Sequence, residues 1–150
     1  MDQLLLADGG AWVLRLLRGA GTDGWGSLGG LAPPSKLAVE ELTLAIERLD
    51  QIRSRLLGYL HDVDVIVCPV QPGPATPHGT TNTPEFFRGD SYSNVFNLTG
   101  WPAASVPGAR SPEGLPIGVQ VVAGPWREDL VLAAAKIVEP ALGGYRRPPI

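Results

Sequence analysis

From residue 62 to residue 70 the chain reads Asp-Val-Asp-Val-Ile-Val-Cys-Pro-Val, and no other stretch restricts the fold as strongly. Unbroken β-branched residues favour extended backbone. A run without polar alternation predicts a strand buried on both faces, and Pro69 stops it. The segment before it, Ser35 to His61, carries Leu42, Ile46, Leu49, Ile52, Leu56 and Leu60 at intervals of three or four. Glu47, Arg48, Asp50, Gln51 and Ser54 line the opposite side, so the pattern predicts one long amphipathic helix. Ser35, directly after Pro33-Pro34, is its expected N-cap. Glu40 and Glu41 at its start and Arg53 and Arg55 toward its end suit the helix dipole. At 1.5 Å per residue it spans roughly 40 Å, so its apolar stripe needs a large partner surface.

Glycine and proline set the remaining punctuation. The 150 residues hold 19 glycines and 15 prolines, nearly double the usual share of about 12%. Residues 3–18 predict two short helices or one kinked at Gly9-Gly10, and residues 19–34 a loop. A loop of about twenty residues, 71–91, follows the strand; a connection that long inside a domain tends to be functional. Tyr92–Leu98 predicts a helix ending at Gly100. Ala103–Pro107 and Ile117–Ala123 predict antiparallel strands, and Glu128–Leu142 a closing helix ended or kinked by Pro140.

Composition excludes several classes. The formal net charge of −3 argues against holding nucleic acid by phosphate neutralisation. A hydrophobic share of 44% argues against wholesale disorder. One cysteine rules out an internal disulfide framework, and no run approaches the roughly 18 apolar residues that span a bilayer. Asp2 occupies the position where a signal peptide carries a basic residue, so a cytoplasmic protein without membrane contact is the expectation.

Isolated motifs carry little chemistry. Gly24–Gly30 formally contains G-x-G-x-x-G, but no strand precedes it and Pro33-Pro34 follow, so it reads as a glycine loop. His61 and His78, the only histidines, lack metal-ligand spacing, and neither a metal nor another cofactor is expected. Cys68 reads as strand packing, Lys36 and Lys136 as solvated helix positions, and the four tryptophans as core or loop anchors. Asn97-Leu98-Thr99 reads as a chance match to a glycosylation sequon.

Three segments taken together are specific. They are Asp64-Val65-Ile66-Val67-Cys68-Pro69, followed by a proline-rich loop ending Pro74-Ala75; Asn97-Leu98-Thr99-Gly100-Trp101-Pro102-Ala103-Ala104-Ser105-Val106-Pro107; and Gly114-Leu115-Pro116-Ile117-Gly118-Val119-Gln120-Val121-Val122-Ala123-Gly124, with Glu128-Asp129-Leu130-Val131-Leu132 opening the last helix. Their order and spacing resemble the C-terminal portion of the amidase signature family, whose members include fatty-acid amide hydrolases and glutamyl-tRNA amidotransferase A subunits. The match is firm over residues 60–140. It implies an α/β fold: the C-terminal part of an α/β/α sandwich with a mixed sheet, here one partial domain over residues 1–150 and incomplete by itself.

The resemblance also implies hydrolysis or transfer of amides by a serine nucleophile, a bridging serine and a lysine base. Those groups belong to segments upstream of the ones matched. Gly26-Ser27-Leu28-Gly29-Gly30 lacks the bridging serine, and the first lysine, Lys36, follows rather than precedes it. No catalytic residue is therefore assigned. Asp90, seven residues before Asn97, stands where the A subunit of the amidotransferase has an acidic residue contacting the substrate amine, although its flanking residues differ. It is the one substrate-binding candidate, against the plainer reading of a solvated loop carboxylate. The loop Gln71–Gly89 is expected to line the same cavity.

Three accounts follow from these residues. The first is a truncated amidase segment, inactive alone, either a fragmentary gene product or a split protein with a complementing N-terminal segment as partner, and with a small-molecule amide as the parent enzyme's substrate. The second is a non-catalytic interaction module derived from the fold. The third is a complete amidase that uses Ser27.

Overall fold

Gly9 and Gly10 take positive φ angles of 73° and 74°, a conformation that glycine adopts without penalty, and the chain turns there into helix α1 (Ala11–Gly19). The Asp8 carboxylate accepts the backbone N–H groups of Ala11 at 3.0 Å and Trp12 at 2.9 Å. It thereby satisfies two of the donors that a helix start leaves unpaired. The expected interruption at Gly9-Gly10 is thus a helix start.

The computed structural model describes residues 4, 7–22, 35–80 and 92–147, grouped in two units, residues 1–52 and 53–150. In the first unit Asp8 and Lys36 form an antiparallel bridge, and Leu37 N–H donates to the Ala7 carbonyl at 3.0 Å. Backbone used in this way cannot begin a helix, so the expected N-cap at Ser35 is corrected. Helix α2 runs Val39–Tyr59, and Ala38 takes the capping position: its N–H donates to the Glu41 carboxylate at 2.8 Å. That is half of a capping box. The α2 stripe is buried unevenly. Ile46 and Ile52 are exposed, whereas Leu56 and Leu60, in the second unit, pack against the core cluster.

The second unit is built on strands β1 (Val65–Pro69), β2 (Ala103–Arg110) and β3 (Pro116–Ala123), in the order β1-β3-β2 and antiparallel throughout. These strands supply only antiparallel pairs of the expected sheet. β3 is the centre, with Val121 and Val122 both fully buried. Successive strand residues face opposite sides, so both faces of β3 are covered. One face holds Val122 with Phe96, Trp101, Ile66 and Cys68. Helix α4 (Glu128–Ala141), which buries Val131 and Ala135, lies against β2 and β3. Pro140 sits in its last turn, and the helix ends one residue later.

β1 departs from the expectation of burial on both faces. It pairs with β3 alone among the described residues, and Val67 is 50% exposed. The apolar run made the strand; among the described residues nothing covers the Val67 side chain fully. β2 runs further than expected because a bulge between Pro107 and Ala109 carries it past the proline. Helix α3 (Ser93–Thr99) ends on Gly100, at φ 72°, whose N–H donates to the Phe96 carbonyl at 2.8 Å. No helix among the described residues is long and apolar enough to cross a membrane.

Candidate functional site

The three segments singled out in the sequence meet around β3. Gly100 closes α3 and turns the chain so that Trp101, 6% exposed, enters the core beside Phe96 and Val122. Pro102 then offers its carbonyl to Ala123 N–H at 3.2 Å, docking the start of β2 on the end of β3. Gln120, also buried, donates from Nε2 to the Pro69 carbonyl at 3.0 Å and ties the end of β1 to the central strand.

Two glycines allow close approach of neighbouring segments. A Cβ on Gly118 would lie 3.0 Å from Ser105 Oγ and 3.2 Å from Val70 Cγ2. One on Gly124 would lie 3.2 Å from Leu60 Cδ1. Among the described glycines Gly108 is more tightly restricted than these two, since its Cβ would overlap the Val119 side chain. The described motif residues Gly100, Trp101, Gly118 and Gln120 thus have structural work: they set the hairpin and its core.

The β2–β3 hairpin and the stretch after α4 enclose a cleft of about 780 Å³. Val106, Pro107, Ile117 and Leu142 form apolar parts of its lining, and Arg110, Tyr145 and Arg146 also border it. Arg110 donates to the Gly114 carbonyl at 2.9 Å. At the hairpin turn, Ser111 Oγ accepts Leu115 N–H at 3.2 Å. A hydrogen bond from the Ser111 side chain holds the exposed Glu113 carboxyl below its ordinary range. At the start of α4, the Arg127 guanidinium bonded to Asp129 at 3.0 Å does the same for the Asp129 carboxyl. Among the described residues the polar and charged lining of the cleft is Ser105, Arg110, Tyr145 and Arg146, with no histidine or lysine. Sequence reading missed this cleft; its only trace was arginines beside glycine and proline loops, a pattern with many other meanings.

Asp90 and Ser27 lie outside the described residues, as does the loop beyond Thr80 as far as Ser91. His61, His78, Lys36 and Lys136 are all exposed. Among the described residues no three His, Cys, Asp or Glu side chains are grouped to hold a metal.

Comparison with known proteins accounts for this arrangement. The Amidase family model matches residues 32–132. The A subunit of glutamyl-tRNA(Gln) amidotransferase from Wolinella succinogenes is 42% identical over 83 residues, which are 55% of this chain and 18% of that protein. Human fatty-acid amide hydrolase 2 is 35% identical over 96 residues, 64% of this chain and 18% of that protein. The crystal structure of the glutamyl-tRNA(Gln) amidotransferase A subunit from Thermotoga maritima superposes with a TM-score of 0.61 at 29% identity, covering 67% of this chain and 22% of that one. The chain therefore spans about a fifth of the length of these relatives. With the family model matched across α2, the sheet and the start of α4, the chain belongs to the amidase signature family, whose chemistry is the hydrolysis of amide bonds.

Proposed function

We propose that these 150 residues are a C-terminal part of a carbon–nitrogen amide hydrolase, one partial domain that buttresses and lines the substrate cavity and is inactive alone. The observation that carries this reading is the family match over residues 32–132, taken with a span of 18% of the curated relatives' length. The chemistry points the same way. A serine hydroxyl needs a base within hydrogen-bond reach, and the acyl oxyanion needs donors already in place. The matched segments supply a packed hairpin and its core instead. The serines and lysine come from an N-terminal amidase segment, in the same polypeptide or in a partner chain. The subunit organisation in the amidotransferase relative's name fits a partner chain.

The test is labelling of the purified chain with a serine-directed fluorophosphonate, alongside turnover of a simple aryl amide. The expected result is neither. Stoichiometric labelling that disappears in Ser27→Ala would establish the chain as a complete enzyme and end this reading.

Within the same proposal Asp90 faces the substrate amine in the completed enzyme. The support is its spacing of seven residues from Asn97, which opens the motif ending in β2. Asp90→Asn removes the charge and keeps the shape. The expected outcome in the completed enzyme is a KM for an amine-bearing substrate raised about tenfold or more, with little change for a neutral amide. Equal effects on both substrates would return Asp90 to an ordinary loop carboxylate.

A further inference from the structure

We propose that the cleft between the β2–β3 hairpin and the stretch after α4 binds a small organic carboxylate, its apolar body seated on the hairpin and its anionic head held by Arg110 and Arg146. The inference does not rest on the proposed function. Every group it uses is a described residue of the second unit.

Size and surface set the kind of ligand. At about 780 Å³ the cleft falls in the range of small-molecule sites, roughly 300–1,000 Å³. Val106, Pro107 and Ile117 give the hairpin side an apolar surface. Leu142 and Tyr145, 45% and 70% exposed, add apolar area on the opposite side that a bound body would cover.

Charge decides the class. The lining holds two guanidinium groups and no carboxylate, in a chain whose formal net charge is −3. Arg110 gives one donor to the Gly114 carbonyl at 2.9 Å, which fixes its guanidinium at the hairpin and leaves its other N–H groups available. Among the described residues neither Arg110 nor Arg146 has an ion-pair partner. Glu113 adjoins the lining residue Gly114, but its carboxylate is engaged by the Ser111 side chain and its own backbone N–H. Glu139 meets Gly144 through its backbone carbonyl, and its side chain does not line the cleft.

A helix C-terminus attracts cations, and that pull alone would draw Arg146 toward the end of α4. The helix end is already served by main chain, however. The carbonyls of Val138, Pro140 and Glu139 accept the N–H groups of Leu142 at 3.1 Å, Gly143 at 3.1 Å and Gly144 at 2.9 Å. Gly143 and Gly144 reach these positions with φ of 99° and 66°, which only glycine adopts freely. The Arg146 donors therefore remain for a ligand. Ser105 supplies a third polar group. Gly118, also in the lining, lacks the Cβ that would lie 3.0 Å from Ser105 Oγ, so the hydroxyl keeps its room in the cleft wall. A guanidinium fork matches the two oxygens of a carboxylate, and a hydroxyl can donate to either.

The experiment titrates the full 150-residue chain with three probes, followed by calorimetry and by backbone amide chemical shifts. Phenylbutyrate carries body and charge, phenylbutyramide the body alone, and sulfate the charge alone. The expected result is one-site binding of phenylbutyrate with shifts at Gly114, Gly118 and Gly144, and binding of the other two weaker by about tenfold or more. Arg110→Gln and Arg146→Gln should each weaken phenylbutyrate about fivefold to tenfold, and the double variant more than either. Both side chains are exposed, so the thermal midpoint of each variant should match that of the wild type, which separates lost binding from lost fold. The selectivity of the wild-type chain among the three probes stands without the variants. Equal binding of the amide or of sulfate, undiminished binding in the double variant, shifts confined to residues away from the cleft, or no binding at millimolar phenylbutyrate overturns the proposal.

Discussion

Trp101→Ala is expected to cost about 3–5 kcal/mol, which approaches the whole stability of a unit this size. Trp101 is 6% exposed and packs with Phe96 and Val122, with Leu56, Leu60, Ile66, Cys68 and Val95 around them. That cluster joins α2, β1, α3 and β3, so the cavity left by the indole removes contacts from four elements at once. The N–H of Trp101 bonds the Phe96 carbonyl at 3.2 Å in any variant, which leaves the α3 turn intact and isolates the packing effect. Thermal or urea denaturation followed by far-ultraviolet circular dichroism measures it. The expected result is loss of cooperative unfolding in the alanine variant and partial recovery in Trp101→Phe. A Trp101→Ala midpoint within a degree or two of the wild type contradicts the assignment of this residue to the core.

Gly108→Ala is expected to destabilise by about 1–3 kcal/mol through overpacking. A Cβ there overlaps the Val119 Cγ2 methyl and lies 3.3 Å from both Val119 Cβ and the Ile117 carbonyl oxygen. Valine is stiff about χ1, so it cannot swing aside at little cost. Backbone must move instead, at the bulge that lets β2 continue past Pro107. The relieving variant is Val119→Ala, which is destabilising alone but makes room. In a double-mutant cycle the two changes should couple favourably, with Gly108→Ala costing less in the Val119→Ala background. Additive effects would show that the contact is not the cause. Gly100 makes a useful contrast: nothing lies within 4 Å of its Cβ position, so its cost on substitution comes from its φ of 72° alone.

How much could be read from residues depends on how local the deciding interactions are. The end of α3 was visible at Gly100 because a left-handed helix cap is a property of one residue. β3 and α4 were visible because each carries its own period, and their ends came within a residue or two. The start of α2 was not. Ser35 is a good cap by chemistry, but Lys36 bridges Asp8, and Leu37 bonds Ala7, roughly thirty residues upstream in the chain. The restriction at Gly108 was equally hidden, since it depends on the partner strand's Val119. For the candidate site, sequence reading named Asp90 and the loop from Gln71; the structure adds the cleft bordered by Arg110, Tyr145 and Arg146. That cleft joins a hairpin to a stretch some thirty residues later, and no local pattern signals such a meeting.

The sequence by itself determined the family, through three spaced segments whose glycines, prolines and apolar residues admit few other uses. It also determined where strands and helices form, because hydrophobic period and turn chemistry act over a handful of neighbouring residues. Only the tertiary structure decided that the apolar run at Val65–Pro69 pairs, among the described residues, with β3, that β3 is the covered centre, and that the α2 stripe divides into an exposed and a packed part. Strand order and burial are set by contacts between residues far apart in the chain, and those are chosen by which packing covers the most apolar surface.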